Sequence, residues 1–216
     1  MFAERPRLSR TRAARYGATV VSEAGSPPLA LVVVDDRFPG VEALARAAVT
    51  GLTGRWRVEM LKVADQPAAM TTAERAAYAT DDPALDPVVV EHGRLLRTAG
   101  AVIVVYPTIA NGLSAPVKGW LDRVLLPGVA FVLDERRNRM RPGLGHVRLL
   151  AGLTLDSRGP IERVGYHDNG RRVIARALRL VCGVRTRVRW IRLPLDADAE
   201  PSADDLSRVT ARTARW

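Results

Sequence analysis

Two uninterrupted apolar runs constrain this chain more than anything else in it. Leu29 to Val34 reads LALVVV and stops at Asp35-Asp36; Gly100 to Tyr106 reads GAVIVVY and stops at Pro107. Both runs are short, rich in β-branched residues and closed by turn signals. A strand that is apolar at every position has no face to give to water. Such strands belong in the middle of a parallel sheet covered on both sides.

The segments between the runs alternate accordingly. Val41 to Leu52 carries Ala, Leu and Val at helical spacing, and Gly51 and Gly54 mark its end. Trp56 to Val63 alternates as a second strand. A Pro- and Asp-rich connection from Ala64 to Pro87 holds a short helix at 71–79, opened by the capping box Thr71-x-x-Glu74. Asp86-Pro87 opens the next helix, Asp as N-cap and Pro at the first helical position. After the run at 100–106 come a helix at 115–125, a strand at 147–155, a helix at 170–182 stopped by Gly183, and a strand at 185–193. The order β-α-β-α-β-α-β-α-β predicts an α/β fold: a doubly wound five-stranded parallel sheet with helices on both faces. Residues 1–28 read as a disordered Arg-rich arm, 29–193 as the domain, and 194–216 as a polar tail that packs loosely. Ligands of such sheets sit beyond the carboxyl ends of the strands, at the topological switch point. The residues to watch are therefore 35–42, 107–114 and 156–169.

Composition removes several classes of function. No stretch has the roughly 18 apolar residues that span a bilayer, so a soluble chain without a membrane partner is expected, and the lone cysteine fits a reducing cytoplasm. One cysteine excludes an intrachain disulfide framework, and Cys182, ending an apolar helix, reads as buried and inert. The net charge of +10 invites a nucleic-acid reading. However, Arg5, Arg7, Arg10, Arg12 and Arg15 lie in the arm, and no zinc-finger or aromatic RNA-binding motif accompanies the rest. No nucleic-acid partner is expected; an anionic small ligand suits the charge better. A hydrolase nucleophile elbow and a Walker A loop are absent. The histidines His92, His146 and His167 and the lone cysteine show no metal-ligand spacing, although Asp35, Asp36 and Asp156 leave a Mg²⁺ site open.

Residues 99–131, AGAVIVVYPTIANGLSAPVKGWLDRVLLPGVAF, resemble the flavodoxin-like NAD(P)H:quinone oxidoreductase family. That family has a buried strand, Pro-Thr and paired aromatics, then Pro-x-x-Lys-Gly-Trp-x-Asp-Arg-Val and Gly-x-Ala. Pro116, Lys118, Gly119, Trp120, Asp122 and Arg123 match the second element without a gap. A softer likeness extends over about 29–193. The resemblance implies a flavin (FMN or FAD), a nicotinamide donor NAD(P)H, a quinone-like or small aromatic acceptor and a homodimer. Trp120 would face the sheet, and Asp122 and Arg123 would lie near the subunit contact. Phe131 stands where a family aromatic covers the partner's pocket.

All three loops that hold the flavin in this family are altered here. In the phosphate loop, Asp35 replaces a His and Gly40 a hydroxyl residue, leaving Arg37 to offset Asp35, Asp36 and Glu42; Asp36 and Glu42 also read as helix N-terminal residues. In the second loop, Pro107, Thr108, Ile109, Ala110, Asn111 and Gly112 offer backbone to the ring, with Ile109-Ala110 in place of the aromatics. In the third, Asp156, Ser157 and Arg158 stand where a glycine-bearing turn is usual. Gly165-Tyr166-His167 matches a Gly-x-His whose His steadies charge during hydride transfer, while Ile161 stands where the Tyr that works with it would be.

Three functional readings follow. In the first, the chain is a flavin-dependent reductase with His167 and the loop at 107–112 steadying charge, and Phe131, Arg158 and Tyr166 around the substrate. In the second, no cofactor is bound, and Asp35, Asp156, Tyr106 and His167 perform acid–base chemistry (dehydration, cyclisation or isomerisation) on an aromatic or polyketide-like molecule. That reading expects Asp35 and Asp156 to lie close enough for one pKa to rise. The third is a non-catalytic regulator on the same scaffold.

Overall fold

The computed structural model describes residues 25–67, 69–78, 80, 86–134, 139–159, 168–196 and 198–216. The strands are β1 (Leu29–Val34), β2 (Arg57–Lys62), β3 (Ala99–Pro107), β4 (Phe131–Asp134), β5 (Arg139–Pro142), β6 (Leu149–Leu155) and β7 (Arg187–Leu193). The helices are α1 (Pro39–Leu52), α2 (Thr72–Ala77), α3 (Pro87–Thr98), α4 (Ala115–Val124), α5 (residues 169–182) and α6 (Ala203–Thr213).

Five strands form one parallel sheet in the order β2-β1-β3-β6-β7. This is the doubly wound arrangement expected from the alternating pattern. Every residue of β1 is buried because both of its faces are covered. Leu29, Leu31 and Val33 join the core beneath α3, α4 and α5; Ala30, Val32 and Val34 join the core beneath α1 and α6. In β3, Val102, Val104 and Tyr106 take the first side, and Ala101, Ile103 and Val105 the second. The edge strand β7 places Arg187 and Arg189 in solvent, which discourages pairing with another sheet.

Helix signals in the sequence act as expected in two places. Thr71 and Glu74 form a reciprocal capping box on α2, and the Asp86 carboxylate accepts from the Val88 amide at the start of α3. At α1 the expectation needs correction. The N-cap is Phe38, with no side-chain cap, and Asp36 instead accepts from the distant Ala64 amide (3.4 Å).

Three further features depart from the sequence reading. The stretch after α4 turns back as an antiparallel hairpin, β4–β5, that no periodicity announced. Residues 173–178 within α5 are a π-helical segment. The tail does not pack loosely: α6 lies on α1, with Val209 and Trp216 buried and the Thr210 hydroxyl donating to the Ala47 carbonyl (3.0 Å). The contact is close because Gly51 has no side chain. A Cβ there would collide with the Thr213 hydroxyl and the Thr210 carbonyl.

Candidate functional site

Chain connections run from β1 outward to β2 and then back across to β3, so the sheet's switch point lies between the carboxyl ends of β1 and β3. Three loops meet around it: the one after β1, the one after β3 and the one after β6.

The loops after β1 and β6 share one local design. Asp35 ends β1, and Arg37, two residues on, folds back to grip it with Nε (2.8 Å) and Nη2 (2.7 Å). Asp156 ends β6, and Arg158 grips it in the same way (2.8 and 2.6 Å) while its own amide donates to the same carboxylate (3.1 Å). Asp156 has a second cation in Arg192 of β7, at 2.9 Å. Both carboxylates are buried. Burial alone would raise their pKa values; for Asp35 the Arg37 fork and the nearby Ser114 hydroxyl outweigh it, and for Asp156 the Arg158 fork and Arg192 do so. Both are held below the usual carboxylate range. This overturns the expectation of a raised pKa, and neither Asp35 nor Asp156 carries a proton to give near neutrality.

The acidic loop after β1 is also better balanced than the sequence suggests. Asp36 lies 3.4 Å from Lys62, and Glu42 bonds Lys62 (3.0 Å) and Arg46 (2.8 Å). Arg37 is therefore not the single cation opposing three carboxylates. Its side chain is 43% exposed above a fully buried Asp35, so the pair presents a guanidinium rather than a carboxylate to the surface. Gly40 lies beside it in the first turn of α1.

The loop after β3 is a tight turn. Ile109 and Gly112 exchange backbone hydrogen bonds, and Ala110 (φ 46°) and Asn111 (φ 64°) are both left-handed. Consecutive positive φ values define a type I′ turn, and an alanine there is strained. The turn holds Ile109 at the surface, 45% exposed. Around it, Pro107 is buried, and the Thr108 hydroxyl is paired with that of Thr154 (2.7 Å), tying β3 to β6. The Arg158 Nη1 donates to the Asn111 side-chain carbonyl, and the Asn169 amide donates to the Asn111 backbone carbonyl (2.9 Å). One arginine thus links the second and third loops.

Tyr106 does not line the crevice. It is fully buried on the α5 side of the sheet, edge-on to Trp190, with its hydroxyl against Gly170 and, among the described residues, without a hydrogen-bond partner. Burial raises its pKa further still, so it remains a neutral phenol. Phe131 opens β4 and packs, half-buried, against the core. His167, Tyr166 and Ile161 lie outside the described residues. Arg123 is buried within the chain and bonds Glu74 (2.8 Å) and Asp86 (2.6 Å). Its neighbour Trp120 is buried and donates to His92 Nδ1 (3.2 Å). Sequence reading missed Arg192, Thr154 and Lys62. Each reaches the site from a neighbouring strand, and the register that pairs Thr154 with Arg192 and Val34 with Lys62 is a property of the sheet.

A flavin's needs can be compared with these residues. Its ring takes an apolar surface and close backbone, which Ile109 and the turn at 107–112 offer. Its phosphate takes an exposed cation with satisfied carboxylates behind it, which Arg37 above buried Asp35 offers. The residues fit the group.

Residues 31–178 match a family described as having a flavodoxin-like fold, Flavodoxin_2. No curated protein matches the sequence. Among solved structures, an NAD(P)H:quinone oxidoreductase from Methanothermobacter marburgensis is similar at 18% identity and a TM-score of 0.68, over 88% of this chain and 97% of that one. Smu.1420 from Streptococcus mutans UA159 is similar at 15% identity and a TM-score of 0.67, over 88% and 100%. An FMN-dependent NADH-azoreductase from Bacillus anthracis, in complex with FMN, is similar at 10% identity and a TM-score of 0.59, over 87% and 95%. At these identities the likeness is one of fold.

Proposed function

Because the chain belongs to the Flavodoxin_2 family and has its flavodoxin-like fold, we propose that it is a flavin-dependent NAD(P)H oxidoreductase acting on quinones or related planar aromatic molecules. The observation that carries this reading is the pairing, at one switch point, of a strained turn that holds Ile109 at the surface with a half-exposed Arg37 over a buried carboxylate. The first suits a flat ring and the second an anionic tail. The named neighbours, a quinone oxidoreductase and an azoreductase, agree with it.

A bound flavin supplies two-electron chemistry, accepting hydride from a nicotinamide and passing it to the acceptor. The chain's part is to bind and to orient. Arg37 and the amides at the start of α1 would meet the phosphate. The backbone of Pro107, Thr108, Ile109, Ala110, Asn111 and Gly112 would meet the ring edge, with Arg158 fixing Asn111. His167, by the family resemblance, would steady charge on the ring, and Phe131 would cover the pocket of a second subunit in a cytoplasmic homodimer. In the flavin-free acid–base reading both strand-end carboxylates, held ionised by their arginines, would serve as bases and not as the proton donor that reading also needs.

The test is a titration of the purified chain with FMN and with FAD, followed by fluorescence. Binding at micromolar level or better is expected. Ile109→Asp, at an exposed position, should weaken it about tenfold or more, equivalent to roughly 1.4 kcal/mol. Absence of binding to both flavins would overturn the proposal.

A further inference from the structure

The α5 side of the molecule carries a surface that the crevice does not explain. From Asn169 to Leu195 the chain has eight arginines and no acidic residue. Within this stretch Arg192 is bound to Asp156, and Arg171 lies over the Trp190 ring. Among the described residues, Arg172, Arg176, Arg179 and Arg185 have no ion pair, and all four are exposed. Beside them stand apolar side chains in water: Leu180 is 72% exposed, Val184 92% and Met140 56%. Arg176, Arg179, Leu180, Gly183 and Val184 border an open groove of about 710 Å³ with Pro142 of β5. Met140, two residues before Pro142, shares its face of the hairpin.

Exposed apolar groups interleaved with arginine select among partners. A second copy docked by two-fold symmetry would set arginines against arginines. A nucleic-acid backbone would satisfy the arginines and leave Leu180, Val184 and Met140 facing phosphate. A bilayer bearing anionic headgroups satisfies both, taking apolar side chains into the headgroup–acyl boundary and guanidinium groups onto phosphates. We propose that the outer face of α5 and the adjoining end of β5 form a peripheral docking surface for anionic phospholipid bilayers, with Leu180, Val184 and Met140 entering the interface and Arg176 and Arg179 meeting the headgroups. The proposal needs no membrane-spanning segment, and no described helix is long and apolar enough to be one. It is independent of whether a flavin is bound.

Co-sedimentation of the full chain with vesicles tests it. Vesicles of phosphatidylcholine with about one-third phosphatidylglycerol should pellet the protein, phosphatidylcholine alone should not, and added salt should weaken the binding. The double variant Leu180→Ser/Val184→Ser should bind the anionic vesicles at least fivefold more weakly, with an unchanged far-ultraviolet spectrum. Arg176→Gln/Arg179→Gln should do the same, whereas changing Arg5, Arg7, Arg10, Arg12 and Arg15 to Gln should leave most of the binding. Equal pelleting with neutral vesicles, wild-type binding by Leu180→Ser/Val184→Ser, or complete loss on changing the five arm arginines would each overturn the proposal. So would loss of a dimer in Leu180→Ser/Val184→Ser without loss of vesicle binding, or duplex DNA binding tighter than vesicle binding and lost in Arg176→Gln/Arg179→Gln.

Discussion

At the scale of single residues, the crevice is organised by paired ions. The strand-end carboxylates Asp35 and Asp156 are each held by an arginine two positions on, and this decides what they can do. A buried carboxylate becomes a general acid when burial is unopposed; here a guanidinium opposes it, and both remain charged. Tyr106 is the opposite case, a buried hydroxyl with no partner among the described residues. An unpaired buried hydroxyl costs about 1–3 kcal/mol. Tyr106→Phe is therefore expected to leave stability unchanged or raise it by up to about 1 kcal/mol, and to leave turnover unchanged. Denaturant unfolding and steady-state rates check both; a large loss of turnover would return Tyr106 to the site. The type of residue at each of these positions was legible in the sequence. Whether its side chain faced crevice or core was not, because that depends on the strand register and on which helix packs over each strand end.

At the scale of elements, the motif that carries the family resemblance is a fastening. Trp120 ties α4 to α3 through His92, and Arg123 ties α4 to the capping Glu74 of α2 and the capping Asp86 of α3. Removing one partner of a buried ion pair strands the others without compensation. Arg123→Ala should cost about 3–5 kcal/mol, and removing one of the two stranded carboxylates with Glu74→Gln should recover part of it in a double-mutant cycle. The α1–α6 contact depends on space rather than charge. Gly51→Ala has to push α6 away from α1, so a loss of about 1–3 kcal/mol is expected, with faster amide exchange across 203–213 if α6 is displaced as a unit. An unchanged exchange pattern would show that the contact yields locally. Neither fastening was visible as a pair: Arg123 and Glu74 are far apart in sequence, and Gly51 read as a helix stop.

At the scale of the whole molecule, acid should act in two stages. His92 and His146 have pKa values lowered by burial, and Trp120 donates to the unprotonated Nδ1 of His92. A histidine whose folded pKa lies below its unfolded value of about 6.5 contributes stability above that pH and loses it as pH falls toward the folded pKa. Asp35, Asp156, Glu74 and Asp86 are also lowered, so their contribution is complete above their unfolded values near 4 and is lost below them. Thermal unfolding from pH 8 to 3 should show a shallow decline starting near pH 6.5 and a steep one below about 4. His92→Gln should make the first shallower, leaving the part that belongs to His146, and should leave the second.

The sequence by itself determined the architecture. Apolar runs such as LALVVV cannot be placed except between two layers of helix, and their alternation with helical periods leaves a parallel, doubly wound sheet as the outcome. It also determined the caps at Thr71 and Asp86, which depend on residues three apart or fewer. Tertiary structure alone decided which arginine meets which carboxylate, which face of β3 Tyr106 takes, and that the polar tail becomes a docked helix. It also gathered the arginines of α5 and the apolar side chains of α5 and β5 onto one exposed face. The physical reason is the same throughout. Burial and periodicity are local properties of a chain, whereas ion pairing, close approach and surface patches depend on strand register and helix packing, which place residues far apart in sequence within a few ångströms of each other.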